Sequence, residues 1–255
     1  MIFNYQGDDI PISLNRNGTD GGAELPGDSS LIRCDDDLWT ASRPLPLWIG
    51  DPGCRMTVIR LPDRRLFLHS PVKLSPALEQ RLAELGTVQW IVAPSKLHPR
   101  FIRDYTLVYP RAMLYGAPGL AAQQKNLKFD RMLDQTAAHE WDDAIRFHLF
   151  QGVPRTNEVV FFHPASRTLI LTELVFNVTA VGRNKARLFH RLIGATGRFG
   201  PHRLMRMRIR DREAARTSVE TLLNWDFDRV IMSHGEVLES GGKAALKQAF
   251  AYLFR

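Results

Sequence analysis

The order of periodicities narrows the fold of this chain more than any single motif does. Leu66-Phe67-Leu68 is a short β-type run, and Val88 to Val92 is another. Between them Ser75-Pro76 offers a capping hydroxyl and a proline in the first turn, after which Leu78, Leu82 and Leu85 share one face until Gly86 stops the helix. Strand, helix and strand with short links imply a parallel pair joined by a right-handed crossover. The chain is therefore predicted to be an α/β protein.

The flanking segments extend that pattern. Met56 to Arg60 pairs with Leu66 to Leu68 as a hairpin across the turn Pro62-Asp63-Arg64. From Phe101 to Gln124 the spacing predicts a helix, a strand at Ala112 to Tyr115, and another helix after Gly116-Ala117-Pro118. Strands are then expected at Ile145 to Phe150, Glu158 to Phe162 and Thr168 to Thr172. Helices follow at Arg183 to Ile193 and Arg212 to Leu223, then a strand at Arg229 to Met232. A closing helix presents Leu246, Ala249, Phe250 and Leu253 on one side. Two β-rich halves, each followed by helices, suit two sheets packed face to face with helices outside. Pattern alone leaves a plain doubly wound sheet open as the alternative.

Composition sets the limits. A chain of 255 residues, 44% hydrophobic, suffices for one domain, assigned to residues 31–255. Residues 1–30 are rich in Gly, Asp, Asn and Ser and are expected to form a flexible arm, dispensable for folding. Two cysteines, Cys34 and Cys54, supply neither a disulfide framework nor a four-cysteine zinc site. The first residues lack the basic and apolar regions of a signal peptide, and no apolar run approaches the ~20 residues of a membrane helix. A cytoplasmic protein with no membrane contact is expected. The formal charge of +7 is densest from His202 to Arg210, but no aromatic stacking platform is interleaved there, which argues against a nucleic-acid partner. Its arginines alternate with apolar residues from Leu204 to Arg210, which suits a half-buried strand or an irregular edge. No GxSxG elbow, P-loop or GxGxxG after a strand is present. The sequence sets no oligomeric state.

Three stretches carry a resemblance. Ala93-Pro94-Ser95-Lys96-Leu97-His98 follows the strand at Trp90-Ile91-Val92, Glu158 to Phe176 forms a hairpin ending at Thr172-Glu173, and Ile231-Met232-Ser233-His234-Gly235 closes a late strand. Together they resemble an uncharacterised bacterial branch of the metallo-β-lactamase superfamily with no assigned activity, from about Trp39 to the C-terminus. The resemblance implies an αββα four-layer sandwich. It also places His98 where the final histidine of the HxHxDH loop stands, Glu173 at the metal-bridging carboxylate and His234 at the last histidine. Ala93, Ser95 and Leu97 stand where two histidines and an aspartate would be, and Gly152-Val153 where a further histidine would be.

A binuclear centre is thus not expected. His98, Glu173 and His234 are an adequate set for one zinc or similar divalent ion, yet the depletion favours a metal-free polar pocket. Ser70, Ser95, Lys96 and Asn177 are placed in the same pocket, with Lys96 as a candidate positive charge beside Glu173. His163 is set apart, because six residues of strand at ~3.3 Å each put it on the order of 20 Å from Glu173. His139 and His148 are left as surface or core histidines. Two functions follow: a degenerate hydrolase acting on a small, anionic or ester-type molecule, or a non-catalytic, metal-free binding or interaction module.

Overall fold

The structure, a computed structural model, describes residues 31–45, 53–178, 194 and 197–255. The expected arm at 1–30 and the expected helix at Arg183 to Ile193 lie outside the described residues.

Seven strands form the first sheet in sequence order: β1 (Ile32–Asp35), β2 (Leu38–Arg43), β3 (Cys54–Leu61), β4 (Arg65–His69), β5 (Thr87–Ala93), β6 (Met113–Gly116) and β7 (Arg131–Met132). β1 to β4 are an antiparallel meander, and β4 to β7 are parallel. The crossover between β4 and β5 is α1 (Pro76–Leu85), where the Ser75 hydroxyl accepts from the Leu78 N–H and Leu78 and Leu82 are buried. α2 (Ile102–Val108) and α3 (Leu120–Gln123) flank β6 as the spacing predicts. The second sheet has the order β11-β10-β9-β8, from β8 (Arg146–Leu149), β9 (Val159–His163), β10 (Thr168–Ile170) and β11 (Arg229–Ile231). α4 (Arg203–Met207), α5 (Arg212–Leu223) and α6 (Gly242–Ala249) complete the described α-helices.

Alternation along the strands decides the layering, because successive side chains point to opposite faces. In β4, Leu66 and Leu68 pack with α1 and α2 residues while Phe67 enters the space between sheets. In β9, Phe161 meets Phe67 there, at 5.5 Å between ring centroids, while Val160 and Phe162 face the layer of Val219, Leu222 and Leu246. Three apolar layers separated by two sheets make an αββα sandwich. The plain doubly wound sheet is thereby excluded.

Two local expectations are corrected. The Leu204 to Arg210 alternation is not a strand: Arg203–Met207 is a helical turn capped by His202, whose ring nitrogen accepts from the Met205 N–H at 3.1 Å. Met205 fills the core and the Arg206 guanidinium lies 4.3 Å over the Tyr252 ring, so the arginine spacing reflects a packed turn. β10 also stops at Ile170, short of Thr172, because the N–H groups of Thr172 and Glu173 leave the ladder for the Glu158 carboxylate.

Candidate metal centre

Strand ends on both sheets deliver the three predicted ligands to one place. His98 follows β5, Glu173 follows β10 and His234 follows β11, all at carboxyl ends, where open α/β sheets gather their ligands. One donor atom from each lies within 4.8 Å of the other two. Glu173 Oε1 is 2.7 Å from His98 Nε2 and 3.2 Å from His234 Nε2, and all three side chains are largely buried.

The far side of each ring is also held. His234 Nδ1–H donates to the Gly53 carbonyl at 2.6 Å, and His98 Nδ1 is 2.9 Å from the Ser70 hydroxyl. A carbonyl can only accept, so the His234 proton sits on Nδ1 and, in the neutral ring, a lone pair on Nε2 faces Glu173. The Ser70 hydroxyl can donate or accept, so His98 is free to choose its tautomer. Ser70 holds this position with φ 56°, a left-handed conformation that a non-glycine residue adopts at a cost of about 1–3 kcal/mol. Phe176 stacks on the His234 ring at 5.2 Å and 9°.

The remaining pocket residues separate into two groups. Ser70 touches the cluster, and Asn177 braces it from outside: its side chain donates to the Glu236 carbonyl at 3.0 Å and its backbone pairs beside Gly235. Ser95 and Lys96 do not join it. Ser95 is fully buried and its hydroxyl accepts from the Leu97 N–H at 3.3 Å, closing a turn in its own loop. Lys96 Nζ donates to the Pro154 carbonyl at 3.1 Å, so the expected counter-charge for Glu173 comes from the histidines instead. His163 lies toward the opposite end of β9, bonded to Ser166 at 2.7 Å and bordering an open cleft of about 540 Å³ with Asp37 and Arg60. His139 is a core residue, stacked on Trp141 at 5.0 Å, and His148 accompanies Gln135 at 3.2 Å.

Sequence reasoning missed Glu158, whereas it places His69-Ser70, after the strand at Leu66, at the border of the pocket. Glu158 is buried beneath the corner, and desolvation, reinforced by the Glu173 charge and opposed by bonds from Thr172 and Glu173, pushes its carboxyl up to about 7. His69 is buried beside Phe161; desolvation, helped by nearby His98, drops its imidazole to about 3 and keeps it neutral. The sequence signal for Glu158 was a lone acid at the start of an apolar strand, where an unpaired charge is costly.

Titration of the cluster follows from its geometry. Burial alone would raise the Glu173 carboxyl, but bonds from His234 and His98 hold it well below its ordinary 4.5. Burial alone would lower His234, but Glu173 raises it above 6.5. The Glu173 contribution to stability is present above 4.5 and lost as pH falls through its depressed value. The His234 contribution is present below 6.5 and lost as pH rises through its elevated value. With chelator present, the thermal midpoint of the protein is therefore expected to gain most from this pair between about pH 4.5 and 6.5. Glu173→Gln should flatten that window; a variant with the wild-type pH profile would refute the assignment.

Comparison with known proteins was made on this frame. A sequence profile described as Domain of unknown function (DUF4336) matches residues 36–188, more than half of the chain; the span includes His98 and Glu173 and stops before His234. Among curated proteins none matches. Solved structures that are similar include a metallo-β-lactamase from Pontibacter korlensis, with 12% identity, a TM-score of 0.62 and coverage of 89% of this chain and 99% of that one. The metallo-β-lactamase FIM-1 from Pseudomonas aeruginosa, in a mono-zinc form, has 13% identity and a TM-score of 0.61 over 89% and 97% of the chains. A putative diflavin flavoprotein fragment from Nostoc sp. PCC 7120 has 11% identity and a TM-score of 0.63 over 90% and 96%. At such identities the likeness establishes the metallo-β-lactamase fold and leaves the chemistry to the residues. No helix among the described residues is long and apolar enough to cross a membrane.

Proposed function

The chain belongs to the family described as Domain of unknown function (DUF4336), and from that premise we propose a hydrolase-like protein with one divalent metal held by His98, Glu173 and His234. The observation that carries this reading is the direction of the His234 proton. With Nδ1–H given to the Gly53 carbonyl, a neutral His234 presents a bare Nε2 to a carboxylate, two acceptors 3.2 Å apart. Acceptors facing each other need a cation between them, either a proton or a metal ion.

The residues fit a zinc-like ion. Ligand atoms bound at ~2.0–2.2 Å in a tetrahedral shell stand about 3.3–3.6 Å apart; the Glu173 to His234 spacing of 3.2 Å is close to that, and the Glu173 to His98 spacing of 2.7 Å would have to open slightly. Ring nitrogens turned away from the ion are held by a carbonyl and a hydroxyl, the outer partners that orient ligating histidines. When bound, such an ion supplies Lewis acidity toward a carbonyl or phosphoryl oxygen of a small substrate. Glu173 holds both imidazoles in line, Phe176 covers one of them, and buried His69 adds no charge. Among the described residues no second ligand group accompanies the first: Ala93, Ser95 and Leu97 stand in the loop, and Gly152 and Val153 offer no imidazole. FIM-1 in its mono-zinc form is a relative by fold for which a single zinc is described.

A metal-free binding module is the second reading, and it too has an observation behind it. Both imidazoles reach Glu173 Oε1 within hydrogen-bond distance, so a protonated His234 satisfies the carboxylate without metal. Elemental analysis of protein purified without chelator separates the two. Wild type is expected to hold one equivalent of metal and a His98→Ala His234→Ala double variant none. Equal, sub-stoichiometric metal in both would leave the binding module.

A further inference from the structure

Glu158 is 1% exposed, and both of its carboxyl oxygens are taken up by main-chain amides. One oxygen accepts from the Thr172 N–H and the other from the Glu173 N–H, the latter at 2.9 Å. Those two amides have just left the β10 ladder, whose last bond in this direction is Leu171 N–H to the Ile231 carbonyl at 3.0 Å. Without Glu158 they would be buried donors with nothing to bind.

The main chain around Glu158 is tied to the other sheet. Val159 N–H donates to the Pro94 carbonyl at 2.7 Å, and Lys96 N–H donates to the Thr156 carbonyl at 2.9 Å. Residues 156–159 are thus fastened to the loop that ends in His98, while the Glu158 side chain fastens the corner that carries Glu173. A buried carboxylate is an expensive way to hold a turn, since a backbone carbonyl or a serine would serve at lower desolvation cost. It does what neither can: it grips two consecutive amides in one plane and so fixes the direction in which residue 173 leaves the chain.

We infer that Glu158 is a positioning residue for the metal centre, setting the Glu173 carboxylate at its distance from His98 through the Thr172 and Glu173 amides. The inference rests on the single-metal reading. Partners of this kind outside the ligand shell change metal affinity by about 10–100-fold when removed.

Zinc alone is the probe, titrated into chelator-treated full-length protein by competition with an indicator. Glu158→Gln keeps the shape but turns an amide NH2 toward one of the two N–H groups. It is expected to weaken zinc binding about 10–100-fold. Val219→Ala, in the outer apolar layer, supplies a control that loses thermal stability through packing and is expected to keep wild-type zinc affinity. If Glu158→Gln does not fold, Glu158→Asp, which keeps the charge and loses reach, is read the same way. Wild-type zinc affinity in the Glu158 variant, or an equal loss in Val219→Ala, would overturn the positioning role and leave the metal reading standing. A wild type that takes up no zinc would sink the metal reading; the positioning of Glu173 is then read from the imidazole N–H proton resonances of His98 and His234. Those signals are expected to shift in Glu158→Gln, and unchanged signals would overturn the role.

Discussion

Gly235→Ala is expected to lower the thermal midpoint by about 6–16 °C and to loosen the candidate metal centre with it. Gly235 follows His234 with φ 89°, where a side chain is strained by about 1–3 kcal/mol whatever the surrounding space. Here there is no space. A Cβ would stand 2.3 Å from the Asn177 carbonyl oxygen and 2.8 Å from the Val178 nitrogen, all main-chain atoms that no rotamer change can move. Relief requires the Asn177 segment to withdraw, which breaks the Glu236 N–H to Asn177 carbonyl bond of 2.8 Å and releases the backbone that aims His234. A total loss of about 3–4 kcal/mol at about 2–4 °C per kcal/mol gives the stated range for a chain of this size. Gly241→Ala isolates the conformational part, since Gly241 has φ 71° and nothing within 4 Å of the added carbon. Calorimetry on both variants decides: equal shifts would mean that close packing at Gly235 contributes nothing.

Trp141→Ala should cost about 3–5 kcal/mol, the range for emptying a large aromatic site in a core. Trp141 is 1% exposed and sits between the sheets, edge-on to Tyr115 at 4.5 Å, Phe67 at 5.0 Å and Trp90 at 5.6 Å, with His139 stacked on it at 5.0 Å. Four rings lose a partner at once, and none can collapse into the void without leaving its own strand or loop. The indole N–H has no partner among the described residues, so the loss is one of packing and not of hydrogen bonding. Trp141→Phe is therefore expected to recover more than half of the lost stability. Denaturant unfolding measures both, and a loss below about 1 kcal/mol for the alanine variant would show that the loop at 134–145 repacks freely.

Much of the architecture was legible because local rules and tertiary packing agree. Ser75-Pro76 and Gly86 bound α1 in the folded chain as they do in the sequence, and the leucines between them face the core. The hairpin at Pro62-Asp63-Arg64 formed where the turn residues placed it. Where they disagree, packing prevailed: the arginine alternation from Leu204 to Arg210 has strand period, but burying Met205 and stacking Arg206 on Tyr252 requires a helical turn.

At the site, residue identity was legible and residue direction was not. The resemblance of the loop after β5, the corner after β10 and the end of β11 to metallo-β-lactamase motifs named His98, Glu173 and His234, and strand ends along the chain agree with that choice. Which way Lys96 turns, which ring nitrogen of His234 carries the proton, and which buried acid holds the corner depend on partners 58, 181 and 15 residues away. Strand order brings those partners within reach, and no local spacing encodes it. The sequence alone determined the alternation that builds two sheets and which side chains stand past the three strand ends. Only the tertiary structure decided that those three meet, because convergence is a property of two sheets packed face to face and not of any segment within them.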